Sequence, residues 1–327
     1  MSTKQQLISL LEQSRGEFLS GNTSAESLGV TRAAIWKAIN QLKEEGYLIE
    51  AVTNKGYRLS SDNDSISESA VREFLGEDQD RFTIEVCRSL SSTNTVLKEK
   101  AQNLPDWYVL IAGNQDSGRG RAGRNFYSPA GTGIYLSVLL RPEIPVSDAG
   151  NLTTAAAVAA CRAIEECTDA DPKIKWVNDV FVNGKKVCGI LTEASVNFET
   201  QTADWIVTGI GFNVYMPEEG FPKEIEDVAG VITQKKQKNL RSKLAALFIR
   251  YFYDLCQDLS GKQLYREYKD RCFLIGEPIY VLRGEEKILA TAVDIRRNFG
   301  LLVRYEDGKE EVLSAGEVSI RPKKESK

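Results

Sequence analysis

The segment from Gln115 to Arg124 limits the possible folds of this chain more than any other part of the sequence. It reads Q-D-S-G-R-G-R-A-G-R and stands between two apolar runs, 107–112 and 134–140, that have the character of strands. Ordering glycine costs conformational entropy and arginine resists burial, so the segment predicts a mobile surface loop between two strands. Its arginines favour a catalytic loop that binds an anion, and a solvated basic hairpin loop is the alternative.

The glycines of this loop match G-x-G-x-x-G, but their context excludes the two usual meanings of that pattern. A dinucleotide-binding motif opens a helix, whereas the residues after Arg124, N-F-Y-S-P-A-G, are typical of a turn that leads into another strand. A protein kinase needs a histidine in its catalytic loop, and the chain contains no histidine. The same absence excludes serine–histidine and cysteine–histidine catalysis and the usual zinc sites, which leaves Lys, Arg, Asp and Glu to do any chemistry.

The composition is that of an ordinary globular protein of two or three domains, with 327 residues, 42% hydrophobic and 27% charged. A net charge of -4 excludes a general polyanion binder, so any contact with nucleic acid requires a local patch. We find neither a signal peptide nor an apolar run near the roughly 18 residues that a membrane span needs, which predicts a cytoplasmic protein without membrane contact. The six cysteines show no C-x-x-C spacing and are expected to be buried and reduced.

Residues 1–60 have the pattern of a winged helix-turn-helix. Thr23 or Ser24 is expected to cap the second of three helices, Gly29 to end it, and the third helix to run over Thr31–Glu45 before two short strands. Seven Lys/Arg against six Asp/Glu predict few phosphate contacts per copy, so that specific DNA binding needs two copies. A helical protein-interaction module is the alternative. The residues predicted to contact DNA lie on the polar face of the third helix and in the hairpin turn: Thr31, Arg32, Ala33, Trp36, Lys37, Asn40 and Lys55.

The middle of the chain contains several patterns that suit a ligand site. A polar run, 60–65, predicts a linker, after which small polar side chains in S-S-T-N precede a predicted helix and can cap it, bind a small polar ligand, or do both. Lys175 lies in a strand-like segment, where a surface lysine is the default explanation, and Asn183-Gly184 predicts a hairpin. Glycines in the strand 205–214 predict close approach of a backbone or ligand. Two helices and a series of short strands, separated by turns, complete the chain and suggest a small barrel.

Five motifs in this order resemble those of the biotin protein ligase family: S-S-T-N, Q-x-x-G-R-G-R-x-G-R, K-W-x-N-D, G-K-K-x-x-G-I-L-T-E and G-I-G-x-N-V. The N-terminal domain resembles that of the bifunctional branch of the family, the biotin operon repressors, and the resemblance covers nearly the whole chain. Together, these patterns predict an α+β multidomain protein. It would have a winged helix-turn-helix at 1–60, a linker at 61–69, a central mixed-sheet α/β ligase domain of class II aminoacyl-tRNA synthetase-like type at 70–272, an SH3-like β-barrel at 273–322 and a disordered tail at 323–327.

The resemblance implies a two-step reaction and a second role in regulation. Biotin and ATP would form biotinyl-5'-AMP and pyrophosphate, with Mg²⁺ expected, and the biotinyl group would then pass to a lysine of a biotin carrier protein such as a carboxylase subunit. This chemistry requires neutralisation of anions and alignment of the reactants rather than a histidine base. The adenylate-bound form is expected to be a homodimer that binds operator DNA and represses genes of biotin synthesis or transport.

Site residues follow from the resemblance motif by motif. Ser92, Thr93 and Asn94 would meet the ureido ring, and Gln115 would lie near the carboxylate end of biotin. The residues expected to close over the adenylate or hold its carboxylate and phosphate oxygens are Arg119, Gly120, Arg121 and Lys175, of which Lys175, Arg121 and Arg119 are the predicted catalytic residues. Backbone at Gly189 and Gly209 would line the pocket, and Asn213 would lie near the nucleotide phosphates or the metal; no protein metal ligand is predicted.

Two positions depart from the family pattern. Ala122 stands where some relatives have arginine, and Val177 stands where many have proline, which puts the closed form of the loop and the local geometry of the strand in doubt. Two other functions fit parts of the sequence. A ligand-sensing regulator without catalysis is disfavoured by the arginine loop together with Lys175, and a lipoate ligase, which shares the fold, is disfavoured by G-R-G-R-x-G-R and the winged helix.

Overall fold

The computed structural model describes residues 2–44, 47–60, 63–142, 144–145, 149–197, 202–284, 286–314 and 319–322. Its N-terminal part consists of three helices and an antiparallel hairpin, in the order expected for a winged helix-turn-helix. The elements are α1 (Thr3–Gln13), α2 (Gly21–Leu28), α3 (Arg32–Glu44), β1 (Ile49–Val52) and β2 (Gly56–Leu59). They enclose a small core of their own, to which Leu7, Leu11, Ile35, Ile39, Leu42 and Leu59 contribute.

Local signals in the sequence explain how these helices begin and end. Gly29 takes a left-handed conformation, φ 64°, and ends α2, as predicted. The Thr31 hydroxyl accepts a hydrogen bond from the Ala34 N–H at 3.2 Å and caps α3, also as predicted. The predicted cap of α2 is wrong: Ser20 accepts from the Asn22 N–H, because the helix already begins at Gly21.

The exposed face of α3 is polar and cationic apart from one aromatic ring. Arg32, Ala33 and Lys37 are exposed, and Trp36 presents 61% of its surface to solvent. A single exposed aromatic side chain is normal on a protein surface and needs no partner. The exposed cations Arg32 and Lys37 give this face the polar and cationic character that was predicted.

A mixed sheet of seven strands forms the centre of the molecule, in the order β3-β4-β5-β9-β8-β7-β6. Only the β3–β4 pair is parallel among its described pairings. The strands are β3 (Thr83–Leu90), β4 (Tyr108–Gln115), β5 (Gly133–Leu140), β6 (Lys173–Lys175), β7 (Asp179–Val182), β8 (Lys185–Asn197) and β9 (Thr202–Asn213). Asn183 and Gly184, with φ 50° and 74°, form the predicted β7–β8 hairpin turn.

Helices cover the two faces of this sheet unequally. They are α4 (Glu68–Leu75), α5 (Thr93–Lys100), α6 (Ala149–Cys167), α7 (Leu240–Cys256) and α8 (Lys262–Arg271). The alanine-rich α6 and the aromatic α7 belong to the main hydrophobic core on one face. On the other face α5 packs through Leu97 onto Leu110, Leu139 and Val207, and this second cluster is small. The face that carries α5 therefore has room for a site.

The C-terminal part is an antiparallel sheet of five strands, in the order β13-β12-β11-β10-β14. The strands are β10 (Pro278–Arg283), β11 (Glu286–Ile295), β12 (Leu301–Tyr305), β13 (Glu310–Leu313) and β14 (Ser319–Pro322). The predicted strands 278–282, 288–295, 301–305 and 311–313 are confirmed to within two residues. The predicted tail, 323–327, lies outside the described residues.

The described part of the predicted linker is packed between the domains, while residues 61 and 62 lie outside the described residues. Asn63 is fully buried; its Oδ1 accepts from the Leu48 N–H at 3.0 Å and its carbonyl accepts from Arg15 Nη1 at 2.9 Å. Asp64 forms a buried ion pair with Arg241 at 3.1 Å and accepts from the Tyr215 hydroxyl at 2.8 Å. These side chains give the polar segment fixed partners on both domains, which composition could not show.

Among the described residues, none of the helices has the length and apolarity needed to cross a lipid bilayer. All six cysteines are free thiols, and Cys161, Cys188 and Cys272 are buried. Burial raises the pKa of the Cys161 thiol to about 12, so this thiol is a poor nucleophile and belongs to the core.

Candidate active site

Glycines on β8 and β9 form a shallow trough on the face of the sheet that carries α5. Gly209 lies between Ser137 of β5 and Leu191 of β8, and in the next rung Gly211 pairs with Gly189. Side chains alternate between the faces of a strand, so these positions share one face. Because glycine has no side chain, other groups can approach the sheet closely at both rungs.

Asn94 crosses the first of these rungs. A Cβ atom at residue 209 would lie 2.0 Å from Asn94 Oδ1, so glycine is required there. Asn94 Nδ2 donates to the Leu191 carbonyl at 3.1 Å and to Glu193 Oε2 at 2.9 Å, while Asn94 Oδ1 accepts from Ser137 Oγ at 2.6 Å. The predicted pocket residue Gly209 therefore acts by making room for Asn94.

Thr93 and Gln115 continue this polar cluster. The Thr93 N–H donates to Gln115 Oε1 at 2.8 Å, and Thr93 Oγ1 lies 2.7 Å from Ser137 Oγ. Gln115 Nε2 donates to Ser128 Oγ at 3.0 Å. Ser92 is buried at the start of α5 but makes no side-chain cap. Gln115, expected near the carboxylate end of biotin, thus lies in the cluster expected to meet the ureido ring.

The arginine loop folds back on itself. The Phe126 N–H donates to the Gly118 carbonyl at 2.8 Å, and the Gly120 N–H donates to the Arg124 carbonyl at 2.7 Å. A Cβ atom at residue 118 would lie 2.3 Å from the Phe126 carbonyl oxygen, so glycine is required at that crossing. At the tip, Ala122 takes a left-handed conformation with φ 53°, which is unfavourable for a residue with a side chain.

Phe126, at the end of this loop, covers the second glycine rung. Its ring would be 2.4 Å from a Cβ atom at Gly211 and 3.1 Å from one at Gly189. The next residue, Tyr127, meets Phe221 edge to face, with the ring centroids 6.4 Å apart. The loop therefore contacts both the sheet and the 216–239 segment, and it forms one wall of the trough.

Cationic groups gather beside the Asn178-Asp179 dipeptide. Arg121 Nη1 donates to Asn178 Oδ1 at 3.1 Å, and Lys186 Nζ lies 2.6 Å from Asp179 Oδ1. Burial lowers the pKa of the Arg121 guanidinium, and the nearby Asp179 carboxylate opposes that shift. A half-buried guanidinium held beside a single carboxylate has capacity for a further anion. Arg119, by contrast, is exposed.

Lys175 lies at the end of β6, directly opposite Asp179 of β7 in the strand register. It is half-buried, with its ammonium 5.7 Å from the centre of the Phe181 ring. The sequence alternative of an ordinary surface lysine therefore does not describe its environment. Lys175 and Arg121 approach the same dipeptide from different elements.

Two hydrogen bonds from other elements hold the residues after Lys175 in place. The Trp176–Val177 peptide bond is cis, at one of the positions that depart from the family pattern. The Tyr268 hydroxyl donates to the Val177 carbonyl at 3.0 Å, and the Trp176 indole N–H donates to the Phe299 carbonyl at 2.8 Å. Phe299 belongs to the turn between β11 and β12, so the C-terminal sheet takes part in positioning this segment.

A cavity of about 430 Å³ adjoins the other end of the trough. It lies between the β7–β8 hairpin and the 216–239 segment, and its lining includes Asn183, Lys185, Met216, Phe221 and Gly230. Asn213, at the end of β9, shares a strand face with Gly209 and Gly211, and its carbonyl accepts from the Ile232 N–H at 2.9 Å. The described residues of the 216–239 segment form turns, which follow the edge of the cavity.

Sequence reasoning gave no role to several residues of the site, although Asn178 and Glu193 stand within quoted motifs. Ser137, Ser128 and Glu193 complete the polar cluster, Asn178 holds Arg121, and Phe126 covers the glycines. Ser137 is a hydroxyl residue inside an otherwise apolar strand, and that was the signal available in the sequence. The predicted DNA-contacting residues lie apart from this site, on the N-terminal domain.

Comparisons with known proteins agree with this architecture. A model of the biotin/lipoate A/B protein ligase family matches residues 86–213, a helix-turn-helix model matches 3–58, and a model of the biotin protein ligase C-terminal domain matches 274–321. The biotin protein ligase from Aquifex aeolicus, solved with biotin and ATP, superimposes with a TM-score of 0.63 at 29% identity and covers 74% of this chain and 99% of its own. The fold is thus that of a biotin protein ligase.

Two curated relatives match most or nearly all of the chain. The bifunctional ligase/repressor BirA of Escherichia coli is 30% identical over 319 residues, 96% of each chain, and that of Bacillus subtilis is 39% identical over 237 residues, 71% of each. The chain therefore belongs to the bifunctional ligase/repressor family of biotin protein ligases.

Proposed function

We propose that this protein condenses biotin with ATP to biotinyl-5'-AMP and then transfers the biotinyl group to a lysine of a biotin carrier protein. The observation that carries the proposal is the division of the trough into two unlike ends. One end offers the uncharged polar groups of Asn94, Thr93 and Gln115, and the other offers the cations Arg121 and Lys175. Such a site suits a ligand with a neutral polar ring and an anionic tail.

In the first step, a carboxylate oxygen of biotin attacks the α-phosphate of ATP, and the bond to pyrophosphate breaks. Both reactants are anions, so the main barrier is their repulsion and alignment, which fixed cations lower. Lys175 is assigned to the carboxylate and α-phosphate oxygens, and Arg121, with Arg119 and Gly120, to the adenylate. Asn213 is assigned to the nucleotide end, beside the cavity. In the second step, the carrier amine attacks the acyl carbon and AMP leaves.

Ser92, Thr93 and Asn94 are assigned to the ureido ring, and we place Gln115 with them because of its bond to Thr93. Gly209 serves this end by admitting Asn94, while Gly189 lies under the Phe126 ring. The ring in turn forms an apolar wall for the body of the ligand. The assignment joins sequence motifs that are far apart in the chain.

Mg²⁺ fits this site as a companion of the nucleotide. The described part of the chain has no cluster of three His, Cys, Asp or Glu side chains that could hold a metal without help. Mg²⁺ commonly takes one or two carboxylates and completes its shell with phosphates and water. Asp179 is the carboxylate beside Arg121 and Lys175 and would supply one such ligand, with its Oδ1 already paired with Lys186 Nζ at 2.6 Å. Bound there, Mg²⁺ would neutralise phosphate charge.

We further propose that the N-terminal domain binds operator DNA and that the adenylate-bound protein is a homodimer that represses genes of biotin synthesis or transport in the cytoplasm. The match of the helix-turn-helix model and the polar face of α3 support DNA binding. The expected contacts are Thr31, Arg32, Ala33, Trp36, Lys37 and Asn40, with Lys55 in the hairpin turn. A dimer doubles the few phosphate contacts of one copy.

The domain organisation follows the same relationship. We assign 1–60 to the winged helix, 61–69 to the connection, 70–272 to a ligase domain of class II aminoacyl-tRNA synthetase-like type and 273–322 to an SH3-like barrel. The mixed and antiparallel sheets support the coarse division. The biotin carrier would be a subunit of a biotin-dependent carboxylase.

One experiment tests the enzymatic proposal against its alternatives. The protein is incubated with ATP, Mg²⁺, a biotin carrier domain and either biotin or lipoate, and the carrier is weighed intact. We expect the mass of one biotinyl group with biotin and no change with lipoate. A lipoyl mass instead would establish a lipoate ligase, and an unmodified carrier with retained biotin binding would establish a sensor without catalysis. Gel shifts with and without biotin and ATP test ligand-dependent DNA binding.

A further inference from the structure

The polar end of the trough is held by an ion pair between Lys98 and Glu193, the last residue of the fourth motif, to which the resemblance assigns no role. Glu193 Oε1 lies 2.5 Å from Lys98 Nζ, and Glu193 Oε2 accepts from Asn94 Nδ2 at 2.9 Å. Both side chains of the pair are about a quarter exposed, 25% and 27%. Glu193 contacts the NH₂ of Asn94, while Ser137 contacts its Oδ1, so the ion pair can affect a bound ligand only through other residues.

Acceptor-only neighbours fix the orientation of the Asn94 amide. A carboxylate and a carbonyl can accept hydrogen bonds but cannot donate them, so the group that faces Glu193 and the Leu191 carbonyl must be the NH₂ of Asn94. Asn94 Oδ1 then faces Ser137 Oγ at 2.6 Å. The Ser137 proton must therefore point at Asn94.

The orientation of Gln115 is fixed in the same way, by the Thr93 N–H, which can only donate. Three oxygen–oxygen contacts then connect Asn94 to Gln115: Asn94–Ser137 at 2.6 Å, Ser137–Thr93 at 2.7 Å and Thr93–Gln115 at 3.1 Å. Only the two hydroxyl protons of Ser137 and Thr93 are available to fill them. One of the three contacts must therefore lack a proton. Repulsion between two oxygens without a proton is weakest where they are farthest apart, which is the 3.1 Å contact between Thr93 and Gln115.

We therefore assign the proton of Thr93 to its 2.7 Å contact with Ser137, which leaves lone pairs of Thr93 Oγ1 and Gln115 Oε1 facing each other across the 3.1 Å contact. A ligand N–H at this edge supplies the missing proton. If the Asn94 amide were turned over, its NH₂ would donate to Ser137 and both hydroxyl protons would shift one contact along. All three contacts would then be filled, and the edge would no longer require a donor. The direction of this chain of hydrogen bonds therefore depends on the groups that contact the Asn94 NH₂, which are the Leu191 carbonyl and the Glu193 carboxylate.

We propose that Glu193, held by Lys98, is a positioning residue that sets the hydrogen-bond direction of the pocket, so that Thr93 and Gln115 present acceptors to a ureido N–H of the substrate. This inference rests on the proposed function, since the ligand is biotin. It names a specificity: the pocket selects a hydrogen-bond donor at one ring position.

A substitution that keeps size and removes charge tests this direction. In Glu193→Gln, Lys98 still requires an acceptor, so the new amide oxygen turns to Lys98 and its NH₂ faces the NH₂ of Asn94. We expect biotin to bind about tenfold to thirtyfold more weakly, the range for a buried hydrogen bond replaced by a mismatch. Adding Lys98→Met releases the amide, which can then present its oxygen to Asn94. The double variant should recover to within about threefold of the wild type.

The readout is calorimetric titration of the full-length protein with biotin and with two lactam analogues, each having CH₂ in place of one ureido N–H. The wild type should discriminate against one lactam by more than about tenfold. Glu193→Gln should lose that discrimination and the double variant should regain it. Glu165→Gln, which removes the carboxylate of another ion pair, with Arg271, should match the wild type. Thermal unfolding checks that each variant is folded. If a variant does not fold, Ser137→Ala takes its place, because it interrupts the same chain of hydrogen bonds between Asn94 and Gln115.

The outcomes separate this inference from the proposed function. A wild type that binds no biotin would contradict the proposed function itself. A wild type that binds biotin, together with a Glu193→Gln variant of equal affinity and discrimination, would overturn the role of Glu193. A double variant no tighter than the single one would also overturn it, because a merely structural ion pair gives no reason for rescue.

Discussion

Asn94 occupies the space that any side chain on Gly209 would need, with its Oδ1 only 2.0 Å from the position of a Cβ atom there. The two residues come from different elements, the start of α5 and the middle of β9. Asn94 makes its hydrogen bonds to Ser137 and Leu191 across this gap. The polar end of the site therefore depends on a missing side chain as much as on those present.

Gly209→Ala should displace Asn94 and weaken biotin binding by about fivefold to 150-fold, because overpacking of this kind typically costs about 1–3 kcal/mol. Calorimetric titration with biotin measures the loss. Gly150→Ala is the matched control, since a Cβ atom at Gly150 meets nothing within 4 Å. Equal weakening by both substitutions would contradict the steric explanation.

Lys175→Ala should slow formation of biotinyl-5'-AMP by about a hundredfold to a thousandfold, the usual effect of removing one group that stabilises developing charge. Release of pyrophosphate in a single turnover measures this step. Lys173→Ala, two residues earlier on the same strand, removes an exposed lysine paired with Asp171 at 2.8 Å and should have little effect. Normal adenylate synthesis by Lys175→Ala would remove Lys175 from the mechanism.

Arg121→Ala should increase the rate at which the adenylate escapes, since the lost guanidinium is held toward the site by Asn178. Loss of a charged hydrogen bond of about 1.5–3 kcal/mol corresponds to roughly a tenfold to hundredfold faster release. Chasing preformed radiolabelled adenylate with unlabelled biotin and ATP gives the rate. Arg124→Ala, an exposed arginine of the same loop, provides the comparison. Should both variants hold the intermediate as long as the wild type, the loop would have no part in retaining it.

Asp64→Asn should destabilise the protein by about 3 kcal/mol, because it leaves the buried charge of Arg241 without its partner. The side chains of the pair are only 9% and 7% exposed, and burial raises the pKa of the Asp64 carboxyl while Arg241 opposes that shift. Guanidinium unfolding followed by circular dichroism measures the change. Glu310→Gln breaks an exposed pair with Arg304 and should change stability by less than about 1 kcal/mol. A similarly small loss of stability in Asp64→Asn would mean that the Asp64–Arg241 ion pair does not hold α7 in place.

Glu12 makes the contact between α1 and α4 sensitive to pH. Its carboxylate accepts from the hydroxyls of Ser67 and Ser69, and burial raises its pKa above the ordinary 4.5. Because its pKa is raised, the Glu12 carboxyl binds a proton more tightly in the folded protein than in the unfolded chain. The stability that this protonated carboxyl contributes is present below pH 4.5 and is lost as the pH rises through its pKa in the folded protein. Glu12→Gln should therefore gain stability relative to the wild type as pH increases from 4.5.

Thermal unfolding of both proteins between pH 4.5 and 7.5 checks this sign. Glu26→Gln, on an exposed part of α2, should follow the wild type at every pH. A difference between Glu12→Gln and the wild type that stays constant with pH would show that the Glu12 carboxyl does not titrate differently on folding.

The elements that the sequence predicted well are those set by neighbouring residues. Gly29 ended a helix, Thr31 began one, and Asn183-Gly184 formed a hairpin, because each depends on the conformations open to one or two residues. The structure also brings together residues of separate motifs, since Asn94 lies over Gly209 and Thr93 bonds to Gln115, and their roles toward a ligand stay predictions.

The contacts that escaped prediction join residues far apart in the chain. Asn94 reaches a carbonyl 97 residues away, and Asp64 reaches a guanidinium 177 residues away. No local pattern distinguishes a polar residue that has such a partner from one that faces water. The bond between Thr93 and Gln115 escaped prediction for the same reason, because it follows from the parallel pairing of β3 with β4, which sets Leu90 opposite Gln115.

The hydrogen bond from the Trp176 indole to the Phe299 carbonyl has a consequence for protein engineering. Along the sequence, the C-terminal sheet looks like a module that could be exchanged or removed for a smaller biotinylation tool. In space, its β11–β12 turn supplies an acceptor to the residue next to Lys175. A shortened ligase cut at residue 272 would need a substitute for that single carbonyl before its lysine could be expected to keep its position.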